Sequence, residues 1–232
     1  MKYMRYVITG ASRGIGFEFV HQLLERGDIV DAGVRSEEGL RRLEPLRRAS
    51  RGRLRLHTLD VAEERSVRGF ASKVLEEPVD VLINNAGVPG LWCTLADVDY
   101  VDMLRTFAVN ALGPLRVTSA LLPGLLRGGP RKVAHVTSRM GSLSSNHEGG
   151  AYAYRMSKVA LNMGVRNLSN DLRGHGILSV LLHPGWVKTD MGGPDAPLPP
   201  RESVRGMLNI IDGLRAEHSG RFFDYQGEEV PW

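Results

Sequence analysis

The sequence predicts an α/β fold, a three-layer doubly wound parallel sheet forming a single domain over residues 1–232. Three observations predict it. Short apolar runs alternate with amphipathic stretches along the chain, the pattern of strands joined by crossover helices. A glycine-rich turn, TGASRGIG (9–16), joins the first apolar run to the first amphipathic stretch. No repeat, linker or low-complexity segment interrupts the alternation; GGPDAPLPP (192–200) is too short to separate domains and reads as a surface loop.

RYVITG (5–10) is the first strand. A helix follows over 14–26, with Ile15, Phe19, Leu23 and Leu24 near helical spacing. IVDAGV (29–34) and RLRLHTL (53–59) are the second and third strands, and 63–76 is helical. VDVLINN (79–85) is a strong buried strand. A long helical stretch covers 97–126, with a break or kink at Gly113-Pro114. KVAHVTS (132–138) is the next strand, and a helix over 152–173 ends at Gly174. ILSVLLHP (177–184) is a strand, 201–215 a helix, and GRFFDY (220–225) the last strand.

Composition sets limits. The chain has 232 residues, enough for one substantial core. No apolar run reaches the ~18 residues of a membrane span. The N-terminus enters a strand without the apolar region of a signal peptide, so a cytoplasmic location is expected. A single cysteine, Cys93, allows no intrachain disulfide, and the seven histidines show no metal spacing. From Arg41 to Arg55 there are seven arginines and one acid. That segment reads as a solvated helix end and loop, or as a contact for an anionic membrane or a cofactor phosphate. No aromatic residues interleave with the arginines, which argues against nucleic acid as a partner.

The glycine turn carries the first chemistry. Gly10, Gly14 and Gly16 let the backbone turn tightly and approach a pyrophosphate, while the following helix offers N–H groups and a partial positive charge. Ser12, Arg13 and Ile15 lie in the same turn. Tyr154 and Lys158 are four apart and share one helix face. Tyr152 has Met156 at that spacing and no lysine. An ammonium beside a phenol, with a cationic nicotinamide ring nearby, favours tyrosinate and makes proton transfer feasible near neutral pH.

The spacing of Gly10, Gly14 and Gly16 resembles that of the short-chain dehydrogenase/reductase family, whose fold is the Rossmann type. Further elements follow in the family's order: Asn84-Asn85-Ala86-Gly87, Asn110, Ser138, Tyr154 with Lys158, and Pro184-Gly185 followed by Val187 and Thr189. The resemblance implies that Tyr154 exchanges a proton with a carbonyl or alcohol substrate and that Ser138 hydrogen-bonds the substrate oxygen. It implies that Lys158 holds the nicotinamide ribose and that Asn110 kinks its helix and anchors a relay water. It places the cofactor against Asn84, Ala86, Gly87, Pro184, Gly185, Val187 and Thr189, and against Asp60-Val61 at the adenine. A homodimer through the helices near 97–126 and 152–173 is a further family expectation.

One departure is the 16-residue step from Ser138 to Tyr154, longer than the family's usual gap, with the extra residues in GSLSSNHEGG (141–150). HVTSRMGSL, YAYRMSK and LLHPGWVKTDMGGPDAPL resemble a branch of the family that serves intercellular developmental signalling, which implies association with the cell envelope.

The second strand ends Val34-Arg35-Ser36 rather than in an acid. Arg35 and Arg13 could pair with a ribose 2′-phosphate, which favours NADP over NAD. Asp31 lies earlier in the strand and faces elsewhere. Trp92 and Trp186 follow the fourth and sixth strands and could wall an apolar pocket with Leu91 and Met191, or pack under a loop. Arg139 and Arg155 could meet an acidic substrate group or lie on a helix surface. Three functional readings stay open: a nicotinamide-dependent oxidoreductase, a signalling protein that keeps the cofactor without turnover, and a lipid hydrolase using Ser138.

Overall fold

Strand β1 (Arg5–Thr9) is buried along its whole length in the interior of the sheet. Its alternation decides both faces of the molecule. Tyr6 and Ile8 point to one core and Val7 to the other. The computed structural model describes residues 3–232. Around β1 stand β2 (Ile29–Val34), β3 (Leu54–Thr58), β4 (Val81–Asn84), β5 (Lys132–Val136), β6 (Leu178–His183) and β7 (Phe222–Asp224). All pair in parallel in the order β3-β2-β1-β4-β5-β6-β7. The order reverses between β1 and β4, so a crevice opens at their carboxyl ends.

Helices α1 (Gly14–Glu25), α2 (Glu37–Ala49) and α7 (Pro200–Asp212) cover one face through Phe19, Leu23, Leu43 and Met207. Helices α3 (Glu64–Val74), α5 (Gly113–Arg127) and α6 (Tyr152–Asp171) cover the other through Phe70, Leu121 and Leu161. Helix α4 (Tyr100–Phe107) packs against α6. No helix of the described residues is long and apolar enough to cross a membrane.

Helix α2 is the element the sequence pattern does not declare. Its apolar positions are few, and Pro45 lies inside it. Its ends do carry a signal. Ser36 accepts a hydrogen bond from Gly39 N at 3.2 Å, Glu37 and Glu38 occupy the first turn, and Arg47 and Arg48 the last, all matching the helix dipole. The arginine-rich segment is therefore largely helical and partly neutralised. Arg42 pairs with Glu38, Arg47 and Arg48 with Glu44, and Arg55 with Glu77. Hydrogen bonds from Arg47 and Arg48 pull the Glu44 carboxyl down to about 2.

Two of the differences from the expected boundaries show their physical reason. The irregularity expected at Gly113-Pro114 falls just before it, as a wide π turn over Ala108–Leu112, and the pair itself opens α5. Pro114 brings no N–H, so the first turn of α5 is the place it fits. Helix α6 ends at Asp171 rather than Gly174, because Leu172 turns into the core and a short tight turn, Arg173–His175, follows. The left-handed residue that closes this end is Gly176, with φ 67°.

Candidate active site

The carboxyl ends of β1 and β4 are stitched together by side chains. Thr9 Oγ1 accepts from both Asn85 N and Ala86 N at 3.0 Å. Asn85 Nδ2 donates to Thr9 O and Gly10 O, also at 3.0 Å. The glycine turn passes so close that a Cβ on Gly10, whose φ is +66°, would stand 2.7 Å from Ala86 Cα. A Cβ on Gly16 would stand 2.2 Å from Gly10 O. Only glycine allows this cradle.

Helix α1 then begins at Gly14 with no side-chain cap and no acid in its first turn. Its first N–H groups and the positive end of its dipole stay available to an anion. These features fit a dinucleotide pyrophosphate.

The cleft so formed has a volume of about 390 Å³. Of the residues expected at a cofactor, Gly10, Ser12, Arg13, Gly14, Ile15, Gly16, Arg35, Asp60, Val61, Ala86, Gly87, Tyr154, Lys158, Pro184 and Thr189 line it. Three do not. Asn84 is buried beneath the cleft, where its Nδ2 contacts Thr118 Oγ1 at 3.0 Å and His135 Nδ1 at 3.3 Å; the neighbouring Asn85 lines the cleft instead. A strand side chain and its neighbour face opposite ways, so one residue decides. Gly185 and Val187 shape the turn after β6 rather than the cleft wall. Gly185 has φ +82° with Leu198 and Tyr225 close by, and the buried Val187 bridges Leu198. Four more lining residues come with α2: Arg42, from the segment expected to meet a membrane or a cofactor phosphate, and Ser36, Glu38 and Gly39, which the sequence did not single out.

Tyr154 and Lys158 face the cleft from α6. Lys158 Nζ donates to Val136 O at 3.0 Å and lies 5.6 Å from the centre of the Tyr154 ring. Burial lowers the Lys158 ammonium to about 8. Burial raises the Tyr154 phenol above its ordinary value, and a hydrogen bond with Ser138 works against that rise. Ser138 Oγ also accepts from Met140 N at 3.1 Å, which holds its side chain at the end of β5.

Asn110 lies in the π turn. Its Oδ1 accepts from Val88 N at 2.8 Å, and its Nδ2 donates to Val88 O at 2.9 Å and to Ser157 Oγ at 3.0 Å. Ser157 Oγ donates to Tyr154 O at 2.7 Å. A Cβ on Gly87 would stand 3.4 Å from Asn110 Oδ1 and 3.7 Å from Lys158 Nζ, so these groups converge on one point. Asp31 stands apart from the cleft. It is fully buried between Arg5 Nε at 2.8 Å and His57 Nε2 at 2.7 Å.

The substrate side is open. Trp92 is 76% exposed and Trp186 58%, so neither is packed under a loop. Trp186 Nε1 donates to Gly192 O at 2.8 Å. The long 141–150 loop is tied to the last residue, with Ser144 N and Oγ both donating to Trp232 O. Arg139 lies 3.6 Å from the Asp224 carboxylate and Arg155 lies 3.9 Å from Glu148.

Comparison with known proteins gives a consistent picture. The family model described as short chain dehydrogenase matches residues 5–197. The C-signal protein of Myxococcus xanthus is 74% identical over 166 residues, which is 72% of this chain and all of that protein. The 1-hydroxy-2-glutathionyl-2-methyl-3-butene dehydrogenase of Rhodococcus sp. (strain AD45) is 36% identical, covering 97% of this chain and 98% of its own. Among solved structures, the NADPH-bound carbonyl reductase from chicken fatty liver superposes with a TM-score of 0.91 at 34% identity, and the carbonyl reductase Sniffer of D. melanogaster with 0.94 at 30%; both matches cover all of each chain.

Proposed function

The chain belongs to the short chain dehydrogenase family, and from that premise we propose that it is an NADP-dependent oxidoreductase acting on a small-molecule carbonyl or alcohol, with Tyr154 as general acid and base. The observation that carries this reading is the convergence of Lys158 and Asn110 beside Gly87, with Tyr154 and Lys158 lining the cleft together.

The nicotinamide, when bound, supplies or accepts the hydride. The chain's own residues handle the oxygen and the proton. Ser138 Oγ donates a hydrogen bond to the substrate oxygen and fixes it beside the phenol. Tyr154 delivers its proton to that oxygen in the reductive direction and takes it back in the oxidative one. Burial alone keeps the phenol protonated, which suits the acid role. The Lys158 ammonium, together with the cationic ring of the oxidised nucleotide, stabilises the tyrosinate left behind. Asn110 acts at one remove, holding the backbone on either side of the site. The glycine turn and the open end of α1 would receive the pyrophosphate, and Arg13 and Arg35 a 2′-phosphate. NADPH- and NADP-bound relatives of 34% and 32% identity support that cofactor choice.

The similarity to C-signal favours a second role in intercellular signalling, served at the cell envelope by a cytoplasmically made protein. Membrane contact through Arg41 to Arg55 would rest on Arg41, Arg51 and Arg53, which have no carboxylate partner among the described residues. A homodimer is supported by the exposed apolar residues Tyr100, Val101 and Leu104 on α4 with Met156 and Met163 on α6; Leu104→Glu should then halve the mass in sedimentation.

Tyr154→Phe separates the two roles. It should lower turnover of a carbonyl panel by roughly 10²-fold or more while leaving NADPH binding intact. Undiminished turnover with the fold preserved would overturn the enzymatic reading. A signalling defect that tracks lost turnover would show that signalling needs the chemistry; intact signalling would show that it needs only the fold and cofactor.

A further inference from the structure

The ribose end of the cleft is more heavily charged than the sequence suggests. Three arginines line it: Arg13 from the glycine turn, Arg35 just beyond β2, and Arg42 on α2. Besides Asp60, which accepts from Ala62 N, two carboxylates, Glu38 and Asp190, line the same cleft. Each of them is engaged by one of the arginines. Glu38 pairs with Arg42 one turn along α2. Asp190 reaches back from the segment after β6 to Arg13, with 3.3 Å between Oδ2 and Nη1. Arg35 has no carboxylate partner among the described residues.

Backbone contacts hold both pairs at the cleft. A Cβ on Gly39 would stand 2.8 Å from Ser12 Cβ and 2.5 Å from Val34 Cγ1, so the first turn of α2 is pressed onto the glycine turn. A Cβ on Gly14 would stand 3.2 Å from Thr189 Cγ2, so the segment carrying Asp190 lies on the turn carrying Arg13. Glu38 and Arg42 are thus brought to the cofactor by a glycine that lets two segments touch.

We propose that Glu38 and Asp190 are built-in counter-anions that set the cofactor preference. They neutralise Arg42 and Arg13 when the nucleotide carries a free ribose 2′-hydroxyl, and a 2′-phosphate displaces them. The inference rests on the cofactor reading above. A 2′-phosphate brings about two negative charges and accepts charge-assisted bonds from guanidinium groups, but both existing ion pairs must open for it to do so. A nucleotide without it leaves both pairs intact, with Arg35 alone unpaired. The protein therefore accepts both nucleotides, with a smaller preference for the phosphorylated one than three unpaired arginines would give. Both pairs are solvent-exposed, so each effect is modest and falls with salt.

The test is a fluorescence titration of NADPH and of NADH against the full chain, Glu38→Gln, Asp190→Asn and the double variant. Glutamine and asparagine keep hydrogen-bonding capacity and remove the charge. Each single change should tighten NADPH roughly three-fold and the double change roughly ten-fold at low ionic strength. The gain should shrink in high salt, and NADH affinity should move by less than about two-fold. A double variant whose NADPH-to-NADH preference stays at the parent's value, or falls, overturns the proposal. A parent chain that binds neither nucleotide overturns the cofactor reading itself, a result distinct from an unchanged preference.

Discussion

Asn110 grips Val88 at both of its backbone polar groups, accepting from its N–H at 2.8 Å and donating to its C=O at 2.9 Å. The grip joins the loop after β4 to the π turn. Through Ser157 it reaches the carbonyl of Tyr154. Asn110→Ala would leave two part-buried backbone groups without these partners. With roughly 1 kcal/mol per lost bond and more for an orphaned group, a stability loss of about 2–4 kcal/mol is expected in urea denaturation. Turnover should fall further than stability alone explains, because the Gly87–Val88 wall of the cleft loosens. An unfolding midpoint equal to the parent's would show that this grip holds nothing together.

The Lys158 ammonium titrates at about 8 because burial disfavours its charge. The role proposed for it, holding the ribose and stabilising tyrosinate, needs that charge. Cofactor affinity in the free protein should therefore be full below pH 8 and weaken as pH rises through it. Lys158→Arg, which keeps the charge at all accessible pH, should flatten the profile. A titration series from pH 6 to 10 checks this, and a flat profile in the parent chain would contradict it.

Two glycines make opposite predictions. Gly16→Ala places a Cβ 2.2 Å from Gly10 O and 2.5 Å from Asn85 Nδ2, so the cradle must distort and nucleotide binding should be lost. Gly69 lies exposed within α3, and an added Cβ there meets nothing within 4 Å. Gly69→Ala should stabilise the protein by about 0.5–1 kcal/mol through helix propensity, seen as a raised Tm.

Asp31 is bound by Arg5 and His57 in the interior. Burial alone would raise its carboxyl, but hydrogen bonds from His57 and Arg5 outweigh that and bring it below the ordinary carboxylate value. A depressed carboxylate stabilises the fold above its unfolded pKa of about 4, and that contribution is lost as pH falls through the lower folded value. Asp31→Asn should cost about 3 kcal/mol near pH 7, since Arg5 is left charged and buried, and the penalty should shrink in acid. Stability measured by denaturant between pH 2 and 7 distinguishes this from a simple packing loss, which would not depend on pH.

Much of the site was legible because it is written in local spacing. The glycine turn needs only a strand, a tight turn and a helix start. Tyr154 and Lys158 need only the four-residue step of a helix, and that same step leaves Tyr152 facing Met156. The parallel sheet followed from alternating elements for the same reason.

What local spacing could not decide was set by contacts between distant segments. Asn84 and Asn85 are indistinguishable by composition, and only the register of β4 against β1 turns one down to Thr118 and the other up to Thr9. Asp31 stands opposite Val7 and Arg55 in the sheet, and its partners Arg5 and His57 come from the strands on either side. Helix α2 has too few apolar residues to announce itself, yet Gly39 docks it onto Ser12 and so delivers Glu38 and Arg42 to the cleft. Sequence alone determined the fold class and the placing of Tyr154 and Lys158 on one helix face, because each depends on residues near in the chain. Which charges surround the ribose end, and which asparagine lines the cleft, was decided only when packing brought remote segments into contact.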